Sequence, residues 1–258
     1  MKKINFYFST KLIFDDYVHE HSFALRVIPP ETPTQHIVSC ELSISPITAV
    51  DQSTDAFGNN VTSGYIKGDH RFLDFEIKGT AETDCTKYRT DYMPCYLYQS
   101  AFTKPSAALT AISEKLGLSG ASVSECVQTI SAELSEIFTY RKDVTTSHTT
   151  AAEAFEINAG VCQDFSHIML SLLRLNGIPC RYIAGLAFCD GETHSWIEYF
   201  EDGVWKGFDP ANDRPVNEDY LVLSQGRDFA DCAIDRGVMF GSYTRQLTLV
   251  RSVMQQGY

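Results

Sequence analysis

No two of the eight cysteines stand in a Cys-x-x-Cys pair, so the knuckles of structural zinc sites and the dithiol redox motif are both missing. No basic run is longer than Lys2-Lys3, and 33 acidic against 21 basic side chains leave a net charge of -12. A phosphate backbone is repelled by such a surface, which excludes nucleic acid as a partner. No glycine-rich phosphate loop is present, so neither a nucleotide nor any other cofactor is called for. The apolar stretches are broken by Ser, Arg or Asp well short of a membrane span. The opening Met1-Lys2-Lys3-Ile4-Asn5-Phe6-Tyr7-Phe8-Ser9 has a charged start but neither the continuous apolar segment nor the small-residue cleavage site of an export signal. The expectation is a cytoplasmic protein without membrane, metal or cofactor, whose cysteines are mostly reduced core thiols; Cys85 and Cys95 read as separate thiols.

What is present is enough apolar side chain, 44% of 258 residues, to bury a substantial core in one large or two modest domains. Through the first hundred residues, Ile4/Phe6/Phe8, Phe23/Leu25/Val27, Val38/Cys40/Leu42/Ile44 and Leu73/Phe75/Ile77 alternate at period two, punctuated by Pro29-Pro30, Pro33, Pro46 and the turn Asp55–Asn60. These are half-buried antiparallel strands, read as an all-β, sandwich-like domain. Near residues 98–105 the period changes to about 3.6. Ser122-Val123-Ser124-Glu125 and Thr150-Ala151-Ala152-Glu153 are capping boxes opening two helices. The expected division is therefore 1–100 and 101–258, the second part α+β, with helices first and a sheet after them. His19, His21, His36 and His70 have no partner at motif spacing and read as ordinary polar side chains.

Within the second part, Asn158-Ala159-Gly160-Val161-Cys162-Gln163-Asp164-Phe165 delivers a cysteine to the start of a helix whose apolar residues at helical spacing are Phe165, Met169, Leu172, Leu173 and Leu175, stopped by Asn176-Gly177 and Pro179. A thiol in the first turn feels unpaired backbone N–H groups and the positive end of the helix dipole, both of which favour the nucleophilic thiolate. His194 lies in the strand-like run Glu192–Tyr199 and Asp209 in Val204–Pro210, and Asp202-Gly203 between them is a hairpin turn. Antiparallel pairing can bring the two side by side, giving an imidazole to move the thiol proton and a carboxylate to orient it. Cys180–Phe188 reads as a further strand, Cys189-Asp190-Gly191-Glu192 as a turn, Asn212–Ser224 as an acidic loop and Leu247–Val250 as a closing strand.

The Gly160–Phe165 run, His194-Ser195-Trp196 and Phe208-Asp209-Pro210, in that order, resemble the transglutaminase-like superfamily of papain-type thiol enzymes, and most closely its bacterial cysteine peptidases. The resemblance runs from about Pro105 to the end, and the β-rich front half resembles the N-terminal region that accompanies this domain in bacteria. It implies a papain-like core with Cys162 as nucleophile, His194 as general base and Asp209 as orienting carboxylate. It also implies a protein or peptide substrate with an amide group. Cleavage of an amide through a thioester is the leading expectation; protein-glutamine crosslinking and a non-catalytic interaction role are the alternatives. Around these three, Trp196 is a candidate substrate-binding residue, with plain packing as its alternative. Asp164 is read as a cap on the first turn, and His167 as holding neighbouring structure rather than acting as base.

Overall fold

The computed structural model describes residues 1–188 and 193–257; the expected turn Cys189-Asp190-Gly191-Glu192 lies outside the described residues. One strand, β1 (Lys2–Leu25), organises the front of the chain. It joins what the pattern showed as two separate runs, with register shifts between Ile13 and Val18 and between His19 and Ser22. The strands β2 (Gln35–Ser45), β3 (Val50–Thr54), β4 (Asn60–Ile66) and β5 (His70–Thr83) follow, all antiparallel to their neighbours. β5 pairs with the first half of β1 and β4 with the second half along the same edge.

Helices then take over, as the change of period predicts. They are α1 (Ala107–Leu116) and α2 (Val123–Ile137), then, after the short strand β6 (Thr139–Tyr140), α3 (Ala151–Ile157). Both predicted capping boxes form, Ser122 with Glu125 and Thr150 with Glu153. The short strand β7 (Ala159–Gly160) leads into α4 (Cys162–Leu175). A second sheet of β8 (Cys180–Ala187), β9 (His194–Glu201), β10 (Val204–Asp209), β11 (Arg214–Pro215) and β12 (Tyr220–Gly226) runs in the order β11-β10-β9-β8-β12. The last helix is α5 (Phe229–Cys232).

Two findings differ from the sequence reading. Residues Tyr220–Ser224, expected as part of a loop, lie in a strand, Tyr220–Gly226, whose every residue is buried. It is covered on both faces and so lacks the alternation by which half-buried strands are recognised. The chain's end also does not stay with the second part. Strands β13 (Asp235–Gly241) and β14 (Gln246–Gln256) run along the free edge of β1, opposite β4 and β5. Residues 235–256 of the expected 101–258 unit therefore complete the N-terminal sheet.

Two apolar cores result. In one, Ile130, Leu134, Ile168, Met169, Leu172 and Leu173 of the helices pack on Tyr182, Ile197 and Phe208 of the second sheet. In the other, Ile4, Phe6, Phe8, Phe75 and Ile77 of the first sheet pack on Leu186, Leu221 and Leu223 of β8 and β12. The second sheet thus packs against both the helices and the first sheet, and the two-sheet, sandwich-like character of the front half comes from its meeting a sheet of the other half. Leu223 is fully buried in that contact, so Leu223→Ala is expected to cost about 2–5 kcal/mol. Urea titration followed by tryptophan fluorescence and far-UV circular dichroism checks this, with both signals moving together because the core is shared.

Candidate active site

The loop before α4 has a physical reason for its sequence. Asp164, three residues into the helix, turns back so that Oδ2 accepts from the backbone N–H of Val161 at 2.7 Å and from Thr145 Oγ1 at 2.7 Å. A Cβ at position 160 would sit 2.3 Å from that same oxygen, so glycine is required there. Asp164 is 1% exposed, and burial pushes its carboxyl pKa up against the pull of these donors. It caps the entry to the helix, as expected. The first backbone bonds in the turn run from Asp164 and Phe165 N–H to the Val161 carbonyl. The N–H of Cys162 precedes them and is aimed out of the helix end.

His167, one turn on, is fully buried, and its Nε2 accepts from the backbone N–H of Phe229 at 3.1 Å. Burial, helped by the Arg174 charge, depresses its pKa to about 3. A neutral ring can accept that bond, and His167 thereby ties α5 to α4, in the holding role expected of it.

The hairpin places the other two residues. Asp202 and Gly203 adopt φ of 53° and 81°, the left-handed pair of a tight β-turn. The turn sets Val204 opposite Glu201 and Phe208 opposite Ile197. Continuing that register puts Asp209 across from Trp196, on the same face as His194 and diagonal to it, a distance long side chains span. His194 Nε2 accordingly donates to Asp209 Oδ2 at 2.7 Å. With Nε2 committed, the ring's other nitrogen is the one left for the Cys162 thiol, which borders the same cleft as His194. Cys162, His194 and Asp209 are therefore brought together in the expected order.

Electrostatics follow from that contact. Burial works against the Cys162 thiolate, but the His194 imidazole and the Ser195 bonds outweigh it and lower the thiol pKa. Burial likewise opposes charging His194, yet Asp209 and Cys162 together raise its pKa. Asp209 is fully buried, and its bonds to His194, Asn212 and Tyr220 hold its carboxyl below the usual range in spite of burial.

Three contributors escaped the sequence reading. Tyr220 donates to Asp209 Oδ2 at 2.8 Å, and Arg214 Nε donates to the Tyr220 oxygen at 2.9 Å, leaving the phenol proton for the carboxylate. Asn212 Nδ2 gives Asp209 Oδ2 another bond at 2.7 Å, while Oδ1 accepts from the backbone N–H groups of Ala211 and Asn212. The Asp209-Pro210-Ala211-Asn212 turn was a local sign of the last. Nothing local announces Tyr220, which arrives on a strand from the far edge of the sheet.

Trp196 is fully buried, its ring 6.3 Å behind that of His194 at 28° and 5.1 Å from Tyr220 edge-on. It borders a separate cavity of about 280 Å³ with Tyr88 and Trp205. The cleft in front of the cysteine, about 570 Å³, is bordered by Lys142, Thr145, Gln163, Asn212 and Phe229 beside Cys162 and His194. In this structure Trp196 backs the imidazole.

A cysteine at the start of a helix, facing an antiparallel sheet that carries a histidine and an aspartate, defines a papain-like α+β core. Residues 110–210 match the transglutaminase-like superfamily and residues 5–82 match the bacterial transglutaminase-like N-terminal region; the chain belongs to that superfamily and carries that N-terminal region in front. It is similar to the uncharacterized protein ML0607 of Mycobacterium leprae, 25% identical over 249 residues that cover 87% of this chain and 88% of the relative. It is 31% identical over 132 residues to the uncharacterized protein Rv2569c of Mycobacterium tuberculosis, covering 45% of this chain and 42% of that one. Among solved structures, the "Putative Cysteine Protease from Cytophaga hutchinsonii" shares the fold, with a TM-score of 0.79, 21% identity and 98% of each chain covered.

The Tyr220 bond gives a test. Removing one donor from a buried carboxylate is expected to cost about 1.5–3 kcal/mol in Tyr220→Phe at neutral pH. A depressed carboxyl pKa contributes stability that is present above the unfolded value of about 3.9 and lost as pH falls through the folded value. The stability gap between wild type and Tyr220→Phe should therefore narrow below about pH 4, as measured by denaturant midpoints across pH.

Proposed function

We propose that this protein is a thiol acyl-transfer enzyme, a cysteine peptidase or amidase that cleaves an amide bond through a Cys162 thioester. The observation that carries the reading is that Cys162 and His194 border one cleft, with Asp209 bonded behind the imidazole, the thiol pKa lowered and the imidazole pKa raised by one another. The other cysteines sharpen it. Burial pushes the Cys40, Cys126, Cys180 and Cys232 thiols up, and the Glu218 carboxylate does the same to Cys85.

In the proposed cycle the Cys162 sulfur attacks the amide carbonyl carbon, and the Cys162 backbone N–H accommodates charge on the oxygen. The His194 imidazolium passes its proton to the nitrogen as the C–N bond breaks, leaving neutral imidazole and an acyl-thioester. Imidazole then takes a proton from water as its oxygen attacks the thioester, and the sulfur departs as thiolate beside the imidazolium, which restores the starting pair. Throughout, Asp209 orients the ring and balances its positive charge. An amine in place of water would give transamidation by the same steps.

Two measurements check this. Cys162→Ala should reduce turnover of a glutamine-containing peptide library by roughly 10³-fold or more, scored separately as ammonia release, backbone cleavage and incorporation of a fluorescent amine. Incorporation would assign crosslinking, and cleavage or ammonia without it would assign hydrolysis. Silence in all three would favour a non-catalytic interaction role. At mildly acidic pH, limited iodoacetamide should alkylate Cys162 ahead of the other cysteines, and His194→Ala should slow that labelling, both read by mass spectrometry of peptides.

A further inference from the structure

The cleft in front of Cys162 does not end at its own rim. Ser147 and Phe229 border both that cleft and a second cavity of about 970 Å³. The floor of the second cavity is the first sheet, where Ser22–Leu25 of β1 lie between Ser63-Gly64 of β4 and Asp235–Met239 of β13. Phe23 pairs with Gly64 on one side and with Gly237 on the other. A Cβ at Gly64 would meet the Phe23 ring at 2.2 Å, and one at Gly237 would meet His21 Nε2 at 2.6 Å, so both rings occupy space that only a glycine beside them leaves open. The wall between cleft and floor is short, because α5 begins at Phe229 and β13 follows it within three residues.

Size and charge narrow the occupant. Pockets for small ligands run to about 300–1,000 Å³. The cleft alone fills that range, and the joined trough exceeds it. The second cavity is bordered by one carboxylate, Asp235, and one guanidinium, Arg236, and the cleft likewise by Lys142 and Asp143. In a chain of net charge -12, the trough is locally balanced. β13 also pairs on one side only among the described residues, which leaves backbone donors and acceptors of the strand that borders the cavity free for an extended chain.

We propose that the N-terminal sheet forms the outer half of the substrate groove. It binds an extended, uncharged segment of a polypeptide substrate several residues away from the amide held at Cys162. This rests on the acyl-transfer reading for what happens at Cys162, while the binding itself is independent of it. A site built only within the cleft would be satisfied by a short amide; this one recognises chain on the first sheet, and Val238, 72% exposed on β13, borders it.

The test uses binding, so that it stands whatever the chemistry. Fluorescence anisotropy of the full-length Cys162→Ala protein would be measured with glutamine-containing, uncharged peptides of about four and about ten residues, extended strand advancing ~3.3 Å per residue. The longer peptides should bind at least about tenfold tighter. Val238→Trp should abolish that advantage while leaving the short peptides unaffected, and Arg236→Glu should shift preference toward peptides carrying lysine at the distal end. Circular dichroism and a denaturant midpoint would confirm that each variant is folded. Equal affinity for short and long peptides, or equal weakening of both by Val238→Trp, overturns the inference. Failure of the acyl-transfer reading would instead appear as an inert wild-type protein that retains the length-dependent binding.

Discussion

A buried carboxylate is unstable unless its charge is answered, and the arrangement around Asp209 is the answer on which the site depends. Its two oxygens collect bonds from His194, Tyr220, Asn212 and the backbone of the following turn. Those donors come from β9, β12 and the segment after β10, so the carboxylate is held only when three parts of the second sheet are in register. The charge of Asp209 then makes a positive His194 tolerable, and a positive His194 makes a negative sulfur tolerable. Cys162 supplies little of this itself: a buried thiol would otherwise stay protonated, as Cys180 and Cys232 do.

Rigidity reaches the cysteine from the other direction. Gly160 leaves room for Asp164 to fold back on Val161, and His167 pins α4 to the segment that begins α5. Both lie within five residues of Cys162 and are buried, so the thiol is presented by a helix end that has little freedom to shift. Trp196 does for His194 what these do for the cysteine: its ring lies behind the imidazole, with Tyr220 against it edge-on. Nucleophile and imidazole are each supported from behind by side chains that border no part of the cleft.

Much of this was legible in the sequence, and the illegible parts have a common cause. Cys162 before an apolar-striped helix, the Asp202-Gly203 turn that sets the register between His194 and Asp209, and both capping boxes are short-range signals that act within a few residues. The strand Tyr220–Gly226 gave no periodic signal because both its faces are buried, Leu221 and Leu223 against the first sheet and Tyr220 and Val222 beside Trp196 and Ile183. The pairing of β13 and β14 with β1 joins residues over two hundred positions apart, where no local pattern operates. Tyr220 was missed because it opens the strand β12. The first sheet also showed its strands without showing its partner, since the apolar face that closes its core belongs to Leu186, Leu221 and Leu223.

The pairing of β1 with the last strands has a consequence for how the chain is made. Ile4 lies beside Gln256, and the Gly257 amide bonds to the Lys3 carbonyl. A ribosome adding about 5–20 residues per second produces β14 some ten to fifty seconds after β1. Throughout that interval β1 has β4 and β5 along one edge and bare backbone along the other, with Phe6, Phe8 and Phe14 awaiting the sheet that will cover them. The nascent front half is therefore a natural client for holding factors at the tunnel exit, because its sheet is completed only after the helices and the second sheet have been made.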